Sequence, residues 1–233
     1  MMKGKKRKGW LVRAGSGGSV RAAATVLCVL TVWCLPAAAR TILLNAEDCD
    51  RMAGIAESAP RLSWAMARYG DGVFHNSQVS LSQESALLLR FSLDKVPAGQ
   101  RIVHAELIVP VSAWGGNEPR FYLWRLLADW GPGVCYLYRS TRPEYTEWTK
   151  PGARGISSDR ATRPTDIVRG ADPGDVVINV TEDVGLWYGG GAPNHGWLFT
   201  VEDPGVAVTL ASPAWAAPET WTLRITYEPE AEQ

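Results

Sequence analysis

The stretch Ala86–Val111 constrains the fold of this chain more than any other. It begins with an apolar run at Leu87–Leu89, breaks at a Val-Pro-Ala-Gly sequence over 96–99, and then has apolar residues at every second position up to Val111. Alternation with period two is typical of a β-strand that buries one face. Proline and glycine supply the turn chemistry between two strands. The pattern therefore predicts an antiparallel β-hairpin at the centre of the protein.

The first 39 residues have the composition of a secretory signal peptide. Met1–Arg21 contains seven Lys or Arg residues and no acidic residue, Ala22–Leu35 is almost entirely apolar, and an A-x-A cleavage pattern follows at 37–39. The apolar stretch is short for a membrane span, which needs about 20 residues; an uncleaved anchor is the alternative. We expect cleavage after Ala39, a secreted or cell-surface protein, and a single β-sandwich domain over residues 40–233.

Removing this leader changes the charge of the protein. The whole chain has 24 basic and 24 acidic residues, and seven of the basic residues lie in the leader, which leaves 17 against 24 and a net charge of about −7 with histidine neutral. Proteins that bind nucleic acid present a basic surface to the phosphates. The composition therefore argues against a nucleic-acid partner, although it leaves room for a local basic surface that binds an acidic ligand.

The rest of the chain has the pattern of many short strands separated by Gly- and Pro-rich turns. Apolar runs occur at Thr41–Leu44, Gln78–Leu81, Arg120–Ala128, Val176–Val180, Gly196–Val201, Val206–Leu210 and Thr220–Tyr227. The pattern predicts an all-β fold, an antiparallel β-sandwich of the jelly-roll type. One or two short helical turns are expected, at Glu47–Ala56 and Asp183–Tyr188.

Residues 138–175 form a long polar segment, called the basic loop below. Its basic residues are Arg139, Arg142, Lys150, Arg154, Arg160, Arg163 and Arg169. Loops of this length in a compact domain are either functional or disordered. Arginine binds carboxylates in a bidentate geometry, so the basic loop is a candidate site for an acidic polysaccharide. The alternative is that Arg154, Arg160 and Arg163 attach the loop to the acidic body of the protein.

Several segments, taken in order, resemble the DNRLRE domain, which is also classified as carbohydrate-binding module family 96. They are LLLRFSLDKVPAGQRIVHAELIV, Trp130, Trp148 with Pro151-Gly152 and Asp159, VINVTEDVGLWYGG, NHGWLF and WTLRITYEP. The resemblance covers about Ser85–Tyr227. It implies a jelly-roll sandwich on secreted, often bacterial, proteins, sometimes attached to polysaccharide-degrading or surface-associated modules. The chain departs from the family at Glu47–Ala56, which looks partly helical, and at Tyr145-Thr146, where the family has Thr-Trp.

Aromatic side chains are candidates for a sugar-binding surface, because their faces stack on pyranose rings. Trp187, Trp197 and Trp221 lie in strand or capping contexts and are expected in the core. Trp114 and Trp148 lie in segments rich in Gly and Pro and are expected to be exposed. The predicted ligand-binding set is Trp114, Arg120, Trp148, Arg154 and Arg160.

Cys49 and Cys135 are the two cysteines that remain after leader cleavage. In an oxidising compartment they could form a disulfide, worth on the order of 4–5 kcal/mol in the chain-entropy model. The alternative is two separate buried thiols, and the sequence leaves both open.

Glu47, Asp48 and Asp50 lie close together beside the first predicted strand. Calcium binds clustered carboxylate and carbonyl oxygens, and jelly-roll carbohydrate modules often hold a structural calcium in this region. A structural calcium is therefore one expectation for these three residues, and no other cofactor is expected.

The sequence contains little that points to catalysis. His75, His104 and His195 are the only histidines, and they lack metal-ligand spacing. Neither a Gly-x-Ser-x-Gly motif nor a phosphate-binding loop is present. We therefore expect a secreted, non-catalytic carbohydrate-binding module whose ligand is a polysaccharide, an acidic one if the basic loop contacts it. The alternative is a structural or adhesive extracellular protein that uses the sandwich for protein contacts.

Overall fold

The structure, a computed structural model, describes residues 38–65, 78–212 and 221–230, all within one compact unit. The predicted all-β sandwich is confirmed. The strands are β1 (Arg40–Asn45), β2 (Cys49–Ala56), β3 (Trp64–Ala65), β4 (Gln78–Leu81), β5 (Ser85–Phe91), β6 (Gln100–Gly115), β7 (Arg120–Arg125), β8 (Tyr138–Ser140), β9 (Thr146–Glu147), β10 (Asp166–Arg169), β11 (Gly174–Asn179), β12 (Trp197–Thr200), β13 (Ala207–Ala211) and β14 (Thr222–Pro229). The helix α1 spans Thr181–Tyr188, and Ala46–Asp48 forms one 3₁₀ turn. Most of the predicted leader, residues 1–37, lies outside the described residues.

Two antiparallel sheets form the sandwich. In sheet I, β1 pairs with β14, β14 with β6, β6 with β13 and β13 with β4, while β11 also pairs with β6. Sheet II has the order β10-β7-β12-β5-β2-β3. The short strands β8 and β9 pair with each other in a separate two-stranded sheet. Strand β6 is 16 residues long, which allows it to pair with three other strands.

The hairpin predicted from Ala86–Val111 is wrong. Strand β5 pairs with β2 and β12 in sheet II, whereas β6 pairs with β11, β13 and β14 in sheet I. The eight residues Ser92–Gly99 therefore cross from one sheet to the other. A turn does occur there, with Gly99 at a φ of 69°, but hairpin loops usually have two to five residues. The apolar sides of the two strands face each other across the core instead of lying side by side.

The core between the sheets is built from alternate residues of the facing strands. Leu87, Leu89 and Phe91 of β5 belong to the same buried cluster as Leu107 of β6 and Ile225 of β14. The three tryptophans predicted in the core all lie there. They are Trp187, Trp197 and Trp221, each at most 6% exposed.

Sheet II is buried on its other face as well. Leu88 of β5, Trp124 of β7 and Leu198 of β12 point away from the first core and pack in a second cluster with Trp130 and Trp148. The latter two belong to residues 129–165, called the covering segment below, which contains most of the basic loop. Because both faces are buried, β5, β7 and β12 have continuous apolar runs rather than alternating ones. The apolar run Arg120–Ala128 therefore has a buried layer on each face, and the covering segment forms a third layer.

Asp159 holds the covering segment together. Its side chain is 1% exposed and accepts hydrogen bonds from the backbone N–H groups of Thr149 (2.9 Å), Lys150 (3.0 Å) and Gly155 (2.9 Å). Its carbonyl oxygen accepts a further bond from the N–H of Leu127, just after β7, at 2.8 Å. Buried backbone donors require such partners, so this one residue organises the loop and ties it to sheet II.

The helical predictions are half right. The turn at Asp183–Tyr188 is confirmed as part of α1. The helical expectation for Glu47–Ala56 is wrong, because only the 3₁₀ turn Ala46–Asp48 is helical and Cys49–Ala56 is strand β2. Strand β2 is buried along most of its length on both faces. Its small and apolar residues are compatible with a short helix when only the local sequence is considered, but here they pack in a sheet. Tertiary packing often overrides local propensities of this kind.

Candidate functional site: an arginine groove beside the covering segment

Trp114, the first residue of the predicted ligand-binding set, packs its side chain against other residues of the protein. It lies in strand β6, is half-buried, and stacks on Phe121 with ring centroids 5.9 Å apart. Its indole N–H donates to the carbonyl oxygen of Asp172 at 2.9 Å. Gly170 lies so close that an added Cβ would be 2.3 Å from the ring. These contacts leave the ring poorly placed to stack on a sugar.

Replacing Gly170 with alanine is expected to displace the Trp114 ring and to lower the free energy of unfolding by about 1–3 kcal/mol, as overpacking does elsewhere. Urea unfolding followed by tryptophan fluorescence measures this. Gly185→Ala is the matched control, because an added Cβ there meets nothing within 4 Å, and alanine is the better helix former. A Gly170→Ala protein as stable as the wild type would contradict the packing.

Trp148 is 3% exposed and packs in the second core cluster. Its indole N–H donates to the carbonyl oxygen of Cys135 at 3.0 Å. The expectation that Trp148 is exposed is therefore wrong, because the loop that contains it covers a sheet face instead of projecting into solvent.

The three predicted arginines make contacts within the protein. Arg120 forms a bidentate pair with Asp203 at 2.6 and 2.5 Å, and this hydrogen bonding holds the pKa of Asp203 below its usual value. Arg160 is 5% exposed, lies 3.8 Å from the Trp124 ring centroid, and pairs with Glu202 at 2.7 Å. Arg154 donates to the carbonyl oxygen of Gln83. For Arg154 and Arg160, these contacts support the alternative that arginines attach the loop to the body.

The acidic residues proposed for calcium have separate partners. Asp48 accepts a hydrogen bond from the N–H of Asn45 at 3.1 Å and pairs with Lys95 at 2.6 Å. Asp50 forms a bidentate ion pair with Arg90. Across the described ranges, no group of three or more His, Cys, Asp or Glu side chains is arranged to hold a metal ion. Glu47, Asp48 and Asp50 are thus not gathered into one ligand group in the described ranges, and a structural calcium at these residues stays a prediction.

Cys49 and Cys135 are thiols in this structure, and no disulfide joins them. Cys49 is buried in the core between the sheets, whereas Cys135 is fully buried within the covering segment. Of the two alternatives left open by the sequence, the structure has the buried thiols.

A groove that the sequence did not predict lies between β2 and the β8–β9 hairpin. It consists of two adjoining depressions of about 620 and 310 Å³, within the usual range of small-ligand sites. The residues that define it, called the arginine groove below, are Arg51, Arg61, Trp130, Tyr138, Arg139, Arg142 and Tyr145.

Backbone hydrogen bonds hold the hairpin against the turn that forms the groove floor. The N–H of Gly131 donates to the carbonyl oxygen of Arg139 at 2.9 Å, and the N–H of Thr141 donates to Pro132 at 3.1 Å. Gly133 has a φ of 74°, and a Cβ there would lie 1.7 Å from the Thr141 hydroxyl. Only glycine therefore allows the hairpin tip to approach the floor this closely.

The aromatic side of the groove is formed by two tyrosines. Tyr138 and Tyr145 make an edge-to-face contact with centroids 5.2 Å apart, and Tyr145 is 73% exposed. Trp130 is 3% exposed and donates its indole N–H to the carbonyl oxygen of His195 at 2.9 Å. The floor is therefore rigid, while Tyr145 offers an accessible aromatic face of the kind that binds sugar rings.

Positive charge dominates the groove. Among the residues that the structure describes, it is lined by the four arginines Arg51, Arg61, Arg139 and Arg142 and by the two acids Asp50 and Asp129. Asp50 is neutralised by its ion pair with Arg90, and Asp129 lies 2.8 Å from the guanidinium of Arg51. The groove thus carries an excess of positive charge, whereas residues 40–233 as a whole contain 17 basic and 24 acidic residues.

His195 adds no charge to this cluster at neutral pH. Its Nδ1 lies 3.4 Å from a carboxylate oxygen of Asp129. Burial lowers the pKa of His195, and the attraction of Asp129 only partly offsets that effect. The positive charge around Asp129 therefore comes from Arg51 and Arg90.

The sequence patterns single out only some of the residues of this groove. Arg139 and Arg142 belong to the basic loop, and Tyr145 stands where the resembling family has another residue, but Arg51 and Arg61 come from distant parts of the chain. Their approach depends on how the covering segment lies on sheet II, which local patterns do not encode.

No protein-family model matches the chain, and no curated protein matches it significantly. The resemblance to the DNRLRE domain therefore stays a prediction. In the ranges that the structure describes, no helix has the length and apolar character needed to cross a bilayer.

Proposed function

We propose that this protein is a secreted, non-catalytic polysaccharide-binding module that holds an acidic polysaccharide in the arginine groove. The observation that carries the proposal is the concentration of four arginines beside the exposed Tyr145, on a mature chain of net charge about −7. Guanidinium groups bind carboxylates through paired, charge-assisted hydrogen bonds. An aromatic face beside them stacks on the sugar ring. The resemblance to a carbohydrate-binding family supports the same ligand class.

Affinity electrophoresis in gels containing alginate, pectin or a neutral β-glucan tests the proposal. The acidic polymers are expected to retard the mature protein, and the neutral glucan is not. Arg142→Gln is expected to weaken binding roughly tenfold, since a hydrogen bond to a charged group contributes about 1.5–3 kcal/mol. Tyr145→Ala is expected to weaken it by a smaller factor. Added salt is expected to weaken binding further, because the charges are exposed.

Arg163→Gln is the matched control, since Arg163 is an exposed arginine of the same loop that does not line the groove. Equal retardation of the wild type and of Arg142→Gln would contradict this binding site. No retardation by any polymer, with co-purification of surface proteins, would favour a structural or adhesive role. Release of new chain ends from a polymer by the purified protein would contradict the non-catalytic part of the proposal.

A further inference from the structure

The two depressions of the arginine groove adjoin each other and share part of their lining. The residues that line both are Arg51, Trp130, Gly131, Pro132 and Arg142. Arg61 and Tyr145 line only the wider depression, and Arg139 and Thr146 line only the narrower one. A ligand that occupies both depressions therefore meets arginines of each.

Each depression has an arginine of its own, and the two depressions share two more. Arg61 lines only the wider depression and Arg139 only the narrower one, whereas Arg51 and Arg142 line both. A site for a single acidic group needs one such cluster, because a carboxylate is satisfied by one or two guanidinium groups. Arginines spaced along a groove fit a ligand whose negative charges are also spaced along its length.

The arginines also differ in how many of their N–H donors are already bonded to other groups of the protein. Arg51 is committed to Asp129 at 2.8 Å and to the carbonyl oxygen of Trp130. Arg139 donates to the backbone of Asp129 at 3.3 Å, which leaves its remaining donors available. Arg61 is exposed, and among the described residues it has neither an ion pair nor a hydrogen bond. The donors available for a ligand therefore lie in both depressions, those of Arg61 in the wider one and those of Arg139 in the narrower one.

We infer that the groove binds the interior of a linear polyanion along its length, with one charged unit near Arg61 and another near Arg139, rather than a single acidic sugar or a chain end. This inference rests on the proposed function. Two linked contacts on one chain reinforce each other, because the second forms at a high effective concentration. Affinity is therefore expected to rise steeply once a chain is long enough to contact both Arg61 and Arg139.

Isothermal titration of the mature protein with oligouronates of one, two, four and six units tests the inference. The hexamer is expected to bind at least tenfold more tightly than the dimer. Arg61→Gln and Arg139→Gln are each expected to reduce hexamer affinity toward that of the dimer, while Arg163→Gln keeps the full length dependence. Unchanged urea midpoints show that the variants remain folded.

The outcomes separate the inference from the proposed function. Equal affinity for the dimer and the hexamer overturns the inference and leaves acidic-sugar binding standing. A length dependence that survives both Arg61→Gln and Arg139→Gln also overturns it, because the extra units then contact another surface. Failure of every acidic oligomer and polymer to bind overturns the inference together with the proposed function.

Discussion

Replacing Asp159 with alanine is expected to lower the free energy of unfolding by about 3–5 kcal/mol. The change removes the acceptor for the N–H groups of Thr149, Lys150 and Gly155, and it does so at a position that is 1% exposed. A buried donor that loses its partner costs about 1–3 kcal/mol, and more where the partner is charged.

Urea unfolding checks this result, and limited proteolysis checks its location. Cleavage is expected to increase within the covering segment first, because the three N–H groups that lose their acceptor, those of Thr149, Lys150 and Gly155, all belong to that segment. Asp172→Ala is the control, since Asp172 is exposed and surface changes usually stay within about 0.5 kcal/mol. An Asp159→Ala protein within 1 kcal/mol of the wild type would show that the covering segment is held by its apolar contacts alone.

The same substitution links stability to the proposed binding. Tyr138, Arg139 and Arg142 of the arginine groove belong to the covering segment that Asp159 organises. If the segment loosens, these side chains no longer lie opposite Arg51 and Arg61. Asp159→Ala is therefore also expected to weaken binding of acidic polysaccharide, although Asp159 itself lies buried within the segment.

The sequence predicted the positions of the strands better than it predicted which strands pair with each other in the sheets. Apolar patterns located β1, β4 and β7, because each local pattern indicates which residues face a core, and the residues typical of helix ends located α1. Periodicity misassigned β5 and β6 as a hairpin, since the same alternation fits two strands of one sheet or two strands facing each other across a sandwich. Pairing depends on contacts between residues far apart in the chain, which no local pattern contains.

One signal for the third layer was present in the sequence. Leu87–Leu89 and the run from Phe121 to Leu126 are apolar on both faces, so something had to cover the second face of sheet II. The covering segment does so with Trp130 and Trp148. Its polar composition suggested an exposed loop, but a few large aromatic residues are enough to bury it. The burial of Trp148 and Arg160, and the site formed at the edge of this layer, follow from that arrangement.

Replacing Asp183 with alanine is expected to lower the free energy of unfolding by about 3 kcal/mol. The side chain is 5% exposed and accepts hydrogen bonds from Thr165 at 2.6 Å and Trp197 at 2.8 Å, and it pairs with Arg125 at 3.0 Å. Alanine leaves these three partners without an acceptor in or near the core, a change that is costly for buried donors and charges. Asp183→Asn has nearly the same shape and keeps one acceptor oxygen, so its loss is expected to be smaller.

The pH dependence distinguishes a charge effect from a packing effect at Asp183. Burial raises the pKa of Asp183 above its ordinary value of 3.8. At a pH between the pKa of Asp183 in the unfolded chain and its raised pKa in the native state, the native state binds more protons than the unfolded state. The contribution of Asp183 to the free energy of unfolding therefore falls as the pH rises through the raised pKa. Asparagine does not titrate and has no such loss. The difference in the free energy of unfolding between the wild type and Asp183→Asn is therefore expected to shrink between about pH 3.5 and pH 7 in urea titrations. A difference that stays constant or grows would show that the fold holds the ionised carboxylate at least as well as water does.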